Sequence, residues 1–488
     1  MASMHRPDIQ RRKLLGSGLA IAAGFAFLPH HSIGFELPDS PRLSPERLVD
    51  DIERRTFQFF WETTNPQNGL VWDRWPSQEY ASVASVGFGL TAYPIGVERG
   101  FVSRRAAAER VLATARFFRN APQGPQVAEV TGHKGFFYHF LDMRTGYRIP
   151  NVELSTVDTA LLMGGMLFCR TYFDRSNSVE TEIRSLIDEI EARIDWAWAQ
   201  PRAPAICHGW HPIRGFIEND WLGYNEAMLV YIMALGSPKF AVRPEAWAKW
   251  CSTYHESWGS WHGHEHLTFP PLFGHQYSHV WVDFRGLRDR FMRAKDLDYF
   301  ENSRRAAYAQ RAYASANPNG WKGYGSNVWG LTGSDGPGEV RVDQDGKTLS
   351  FQAYTARGTG ILYTFDDGTI APTAAASSIA FAPEIALPAL HQMIESYGST
   401  IYGEYGFFDA FNLSFDYNKA LSFGRRVPGF GWVDVDYLGI DQGPILAMIA
   451  NRRSELIWST MRRHPTIRRG LERAGFTGGW LDDKSQRA

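Results

Sequence analysis

The chain has 488 residues, 44% of them hydrophobic and 14% aromatic, and its 51 Lys and Arg against 52 Asp and Glu leave a formal net charge of −1. This supplies a substantial core and excludes an extended disordered chain, and the balance excludes the basic face that nucleic-acid binding needs. Cys169, Cys207 and Cys251 are odd in number and widely spaced, so no disulfide framework is implied.

The first thirty residues carry Arg11-Arg12-Lys13 and then an apolar run, Leu14–Leu28. That run is short for a membrane span and has the order of a secretory signal. The paired arginines have the pattern of twin-arginine export to a bacterial periplasm. An uncleaved anchor is the competing reading. Residues 1–36 are therefore read as export signal and lead, and residues 37–488 as one domain, with no membrane contact after signal removal.

Helical tracts then alternate in character. Ser44 and Pro45 form an N-cap and first-turn pair, after which Leu48, Val49, Ile52, Phe59 and Phe60 share one face. A nearly uncharged tract, 82–98, follows. Amphipathic tracts recur near 103–119, 180–199, 244–257 and 302–316, and weakly charged ones near 155–172, 221–236, 277–292, 379–397 and 441–450. A helix buried all round lacks a polar face, whereas one with a wet side keeps charges there. The alternation predicts an outer and an inner layer, closing as an all-α (α/α)6 barrel. The sixth pair is the weakest, because 405–440 reads as loop. An open α-solenoid is the alternative, but no repeat of fixed period is seen. Long glycine-rich loops, 318–378 and 400–440, form the rim, with short strands expected at Glu339–Val342 and Thr348–Ala356.

Acids among aromatic rings are the candidates for chemistry. In GFIENDWLGYNEAMLVYIMALGSP (215–238), Trp221 and Tyr224 lead to Glu226 at a helix start. Helix dipole favours its ionised form and burial its neutral form, and a general acid needs the second to win. The plainer reading is a first-turn Glu satisfying helix N–H groups. In NVELSTVDTALLMGG, Glu153 and Asp158 flank Ser155, and Asp158 sits in an otherwise uncharged helix, so it is paired, hydrogen-bonded or facing a cavity. YGEYGFFDAFN (402–412) places Glu404 and Asp409 in an aromatic loop. Asp434, Asp436 and Asp441 form a further cluster, with Asp441 read as an N-cap. His262, His264, His266, His275 and His279 invite a metal reading, but GHQYSHVWVDFR lacks the Glu of a zinc-protease pattern. Sugar-binding side chains are the preferred reading there, with no metal and no cofactor.

The phrases ASVASVGFGLTAYPIGVERG, ELSTVDTALLMGGML, WLGYNEAMLVYIMALGSP, PLFGHQYSHVWVDF, YGSNVWGLTGSDGP, DGTIAPTAAASSIAFAPE and GIDQGPI, in order over 45–465, resemble the bacterial glucoamylase-like domain family, which includes the glycoside hydrolase family 144 endo-β-1,2-glucanases. The resemblance implies an (α/α)6 barrel and metal-independent, inverting hydrolysis of linear or cyclic β-1,2-glucans. By motif, Glu226 is then the general acid and Asp409 the base, acting through a substrate hydroxyl; Glu153, Asp158 or Glu404 could take the base's place. Trp72, Trp221, Trp281 and Trp329 would hold glucose rings, with Tyr224 beside them. His275, Tyr277 and Arg285 would bind hydroxyls. An exo-acting sophorose-releasing or transglycosylating enzyme, and a non-catalytic glucan-binding protein, are the alternatives.

Overall fold

Helix α1 (Pro45–Thr63) starts where Ser44 and Pro45 predict, and its apolar face, Leu48 to Phe60, is buried. It opens a computed structural model that describes residues 44–78, 80–344 and 346–483. Among these residues, helices alternate between two layers. The outer ones are α1, α3 (Arg104–Asn120), α5 (Ser178–Ala192), α7 (Glu245–Trp250), α9 (Tyr299–Ala316) and α11 (Pro383–Tyr397). The inner ones are α2 (Val83–Glu98), α4 (Thr156–Tyr172), α6 (Met228–Gly236), α8 (Phe273–Trp281), α10 (Pro372–Ala376) and α12 (Gly439–Ser454). The (α/α)6 toroid expected from the alternation is the fold.

Charge explains the layering. Outer helices keep a wet face, on which Arg116 of α3 pairs with Glu182 of α5, while Arg104 reaches the buried Glu180 between the same two helices. Every residue of α6 is buried. The inner helices run in one direction: Ser85 meets Gly439 and Phe88 meets Gly443, while Phe88 meets Tyr277 and Thr91 meets Trp281. Each step along α2 advances along its neighbours, so all N-termini collect at one end.

Glycine permits the tightest of these contacts. A Cβ on Gly165 would stand 2.0 Å from the Gly87 carbonyl oxygen, and one on Gly87 would stand 2.1 Å from that of Leu161. Both obstacles are helix backbone, which cannot step aside. Gly165→Ala is expected to cost about 1–3 kcal/mol, read as a fall in the urea midpoint. Gly325→Ala, where no atom lies within 4 Å of the added carbon, is expected to leave the midpoint in place.

Several boundaries differ from expectation. The tract 379–397, read as inner, is the outer helix α11, with Glu384 and Glu395 exposed and Ile385, Ala389, Leu390 and Met393 buried. Its inner partner is the five-residue α10. This pair supplies the sixth outer helix that the sequence reading lacked. Helix α6 begins only at Met228, so Trp221 to Ala227 form an ordered approach to it. The 277–292 tract is α8, ending at Trp281, followed after a loop by the separate helix Arg290–Ala294. Asp441 is not the N-cap of α12; Leu438 holds that position and Asp441 is buried in the first turn.

Short antiparallel strands crown the end where the inner N-termini collect. Tyr80–Ser82, Leu154–Ser155 and Tyr437–Leu438 each run straight into an inner helix. The largest sheet has five strands in the order 132–133, 136–138, 154–155, 209–211, 215–216. The expected rim strands form: Val340–Gln344 pairs with Lys347–Phe351, and Thr355–Ala356 with Gly333–Ser334. The 405–440 stretch is less loop-like than expected, since Phe411–Asn412, Gly431–Val433 and Arg425–Val427 form a sheet. Trp321, Phe351, Phe415 and Trp432 make a small second core beneath this rim. No helix among the described residues is long and apolar enough to cross a membrane. The residues of the export signal lie outside the described ones.

Candidate active site

Carboxyl groups gather in three places around the N-terminal end of the inner ring. At the entry to α4, Ser155 caps the helix through the Asp158 N–H, and its hydroxyl bonds the buried Asp158 carboxylate. His139 joins both acids: Nδ1 is 2.9 Å from Glu153 Oε1, and Nε2 is 3.5 Å from Asp158 Oδ1. The second distance exceeds that of a well-formed hydrogen bond. The sequence left open whether Glu153 and Asp158 share a face; the structure brings both to one imidazole. Trp221 Nε1 donates to Thr156 Oγ1 at 3.0 Å, and its ring stacks on His208 at 3.8 Å.

At the entry to α6, half-buried Glu226 stands two positions ahead of the helix, not in its first turn. Ser278 of α8 holds this approach, donating to the Glu226 carbonyl at 3.2 Å and accepting from the Leu229 N–H at 3.1 Å. Tyr363, on the tip of the 358–365 hairpin, faces Glu226, and burial together with that carboxylate pushes its phenol above the usual tyrosine range.

The third group lies beside the entry to α12. Asp409 is 2% exposed and Asp434 0%. Asp409 Oδ2 accepts the Asp335 N–H at 2.7 Å, and ligand-type oxygens of Asp335, Asp409 and Asp434 lie within 4.8 Å of one another. Arg74 grips Asp335 with two bonds of 2.8 Å and reaches Asp73 at 2.7 Å. Carboxylates that close repel by on the order of 3 kcal/mol at an effective dielectric near 20. Burial pushes Asp409 well above the usual carboxylate range, and Asp441, Asp335 and Asp434 push it further. Burial raises Asp434 too, with Asp335 and Asp436 adding to it.

Two of these groups bring metal-ligating atoms together: His139–Glu153–Asp158 and Asp335–Asp409–Asp434. In the first, the two carboxylates sit on opposite ring nitrogens of His139. In the second, Arg74 already delivers positive charge to Asp335.

The remaining sequence candidates scatter. Trp72 is half-buried at this end, its Nε1 donating to Thr63 and its carbonyl against Gly439. Tyr224 is buried, stacked on Tyr299 and bonded to Ser303. His275 is buried, with Nε2 accepting from the Phe269 N–H at 3.3 Å, and Tyr277 packs on Phe88 and Phe273. Trp329 is covered as well. Trp281 is 0% exposed, with Phe88 stacked on it and Gly164 pressed against its ring; it fills the barrel core and offers no sugar platform. Arg285 lies beyond the C-terminal end of α8, paired with Asp283 and Glu455, and is not brought to the acids. Glu404 is exposed at a hairpin tip held by Arg55 of α1. His279 bonds Ser303, which draws it into the core. Sequence reasoning missed Asp335, Arg74, His139 and Tyr363. A lone Asp in the glycine run GSDG and a charged pair between Trp72 and Trp75 were the available signals.

Fold and site together define a toroidal enzyme of the glucoamylase-like class. Residues 218–465 match the Glycoamylase family model, described as "Putative glucoamylase", and the chain belongs to this family. A crystal structure described as that of a "putative glucoamylase" from Bacteroides uniformis is 32% identical, with a TM-score of 0.77, over 91% of this chain and 100% of the other. An endo-β-1,2-glucanase from Chitinophaga pinensis, solved with sophorotriose and glucose, is 28% identical with a TM-score of 0.75, over 89% of this chain and 99% of that one. The exo β-1,2-glucooligosaccharide sophorohydrolase (non-reducing end) of Parabacteroides distasonis is 28% identical over 88% of this chain. The chain spans 58% of the length of that curated relative.

Proposed function

We propose that the protein is a glycoside hydrolase that cleaves β-1,2-glucosidic bonds of linear or cyclic β-1,2-glucans with inversion, using Glu226 as general acid and Asp409 as general base. The observation that carries this reading is the position of Glu226, half-buried ahead of α6 at the same end as the buried acid group around Asp409. Relatives that act on β-1,2-glucans, similar over about nine-tenths of the chain, support the substrate. Glu226 protonates the leaving glycosidic oxygen as the bond breaks, while Asp409 draws a proton from the water side, through a sugar hydroxyl. Inversion needs the two carboxyls roughly 6.5–9.5 Å apart, or more where a hydroxyl relays the proton. A neutral glucan suits a site where Arg74 is already engaged by Asp335 and Asp73. The Arg11-Arg12 lead supports action in a periplasm after twin-arginine export.

The similarity to an exo-acting sophorohydrolase favours a second reading, release of sophorose from the non-reducing end. A time course of product sizes from long linear β-1,2-glucan separates the two. A broad ladder of oligosaccharides at the earliest times is expected. Sophorose alone from the first points replaces endo by exo action, and no new reducing ends at any time removes the hydrolase reading.

A further inference from the structure

Asp409 and Asp434 are both buried carboxyls with one satisfied and one unsatisfied oxygen. Asp409 Oδ2 takes the Asp335 N–H, and Asp434 Oδ1 takes the Val435 and Asp436 N–H groups at 2.7 and 3.3 Å. Asp409 Oδ1 and Asp434 Oδ2 are shielded from solvent and have no hydrogen-bond partner among the described residues. The backbone clamps the two side by side: the Asp434 N–H donates to the Ala410 carbonyl at 2.9 Å, and the Asp409 N–H to that of Asp436 at 3.0 Å. A buried polar atom without a partner is costly, and a proton taken up by this cluster, whose carboxyl oxygens gather within 4.8 Å, lowers that cost.

We propose that Asp409 and Asp434 hold one proton between them, and that Asp434 is a positioning residue that sets the pH at which Asp409 becomes a base. This rests on the reading of Asp409 as the base. The surrounding charges favour proton retention. Asp335 acts on both acids from the rim, Asp436 on Asp434 from the same turn, where it accepts the Ser77 N–H, and Asp441 on Asp409 from α12. Arg74 is bidentate to Asp335 and also bonds Asp73, while Arg357 is committed to Asp367 behind Asp335. With both cations engaged, full ionisation of the pair would crowd buried negative charge; like-charge carboxyl pairs respond by keeping one proton. Their titration then belongs to the pair and not to either group. The shared proton leaves to solvent as pH rises, and only then does Asp409 accept one from the sugar hydroxyl.

Asp434→Asn keeps the shape and removes the competing acid. The acidic limb of kcat/KM against pH, measured on β-1,2-glucan, is expected to move down by about one pH unit or more, a roughly tenfold gain in relative activity one unit below the wild-type limb. A folded Asp434→Asn protein whose profile coincides with wild type, however much its overall rate falls, overturns the proposal. Infrared spectroscopy of the wild type covers the case in which the variant does not fold. A protonated-carboxyl C=O band at neutral pH that disappears in Asp409→Asn is expected, and the same spectrum in both proteins contradicts the sharing. Should Asp409→Asn retain full turnover, the base assignment falls, whereas the infrared result still decides whether the proton is shared.

Discussion

Glu226→Gln is expected to lower kcat on β-1,2-glucan by about 10²–10⁴-fold, the usual contribution of a positioned general acid, with the fold intact. The amide matches the carboxyl in size but cannot give up a proton to the leaving oxygen. Two contacts that hold this approach do not use the carboxyl: Ser278 bonds the Glu226 carbonyl, and Asn225 turns the chain through its own side chain, taking the Ala227 N–H at 3.0 Å. A loss in kcat with little change in thermal midpoint is therefore the diagnostic result, and KM is expected to change far less than kcat. Near-normal turnover in the variant would transfer the acid's role elsewhere.

The largest stability effect is expected at Arg357. Its guanidinium is fully buried and bonds Asp367 at 2.7 and 2.9 Å, the Ser334 carbonyl at 2.8 Å and the Gln352 carbonyl at 3.0 Å. Burial opposes its charge, yet Asp367 outweighs burial and holds the arginine ionised; Asp367 in turn is held below its usual range despite its own burial. Arg357→Met leaves a buried carboxylate unpaired, an outcome that costs about 3–5 kcal/mol. Replacing Asp367 with Leu in the same chain is expected to restore much of the loss, because the uncompensated charge goes with it. Urea midpoints of the single and double variants check this. Arg357 also holds the 334–335 segment, whose Asp335 N–H orients Asp409, so the single variant is expected to lose activity beyond what unfolding explains.

The layering was legible wherever an element was long and its charges one-sided. The tracts of α2 and α4 are uncharged over many residues and are inner helices; α3 and α5 alternate and are outer. The reading failed at α10 and α11 for a physical reason. Five residues, PTAAA, are too few to show a period, and α11 carries its acids near its ends, at Glu384 and Glu395, so its middle imitates a buried helix. The direction of an element also escaped. Trp281 and Arg285 sit at plausible spacing after His275 and Tyr277, but the helix carries them away from the end where the acids gather. Glu226 stood out as a candidate because it is an acid among Trp221, Tyr224 and an apolar run, and the structure sets it half-buried just ahead of α6. Asp335 was not, since a single Asp in a glycine-rich loop signals a turn, and only folding sets it beside Asp409, 74 positions further along the chain.

The most direct test supplies the purified protein with β-1,2-, β-1,3- and β-1,4-glucans of similar length and counts new reducing ends. Release from the β-1,2-linked polymer alone, nearly abolished in Glu226→Gln, is the predicted result. Cleavage confined to the other two polymers would contradict it.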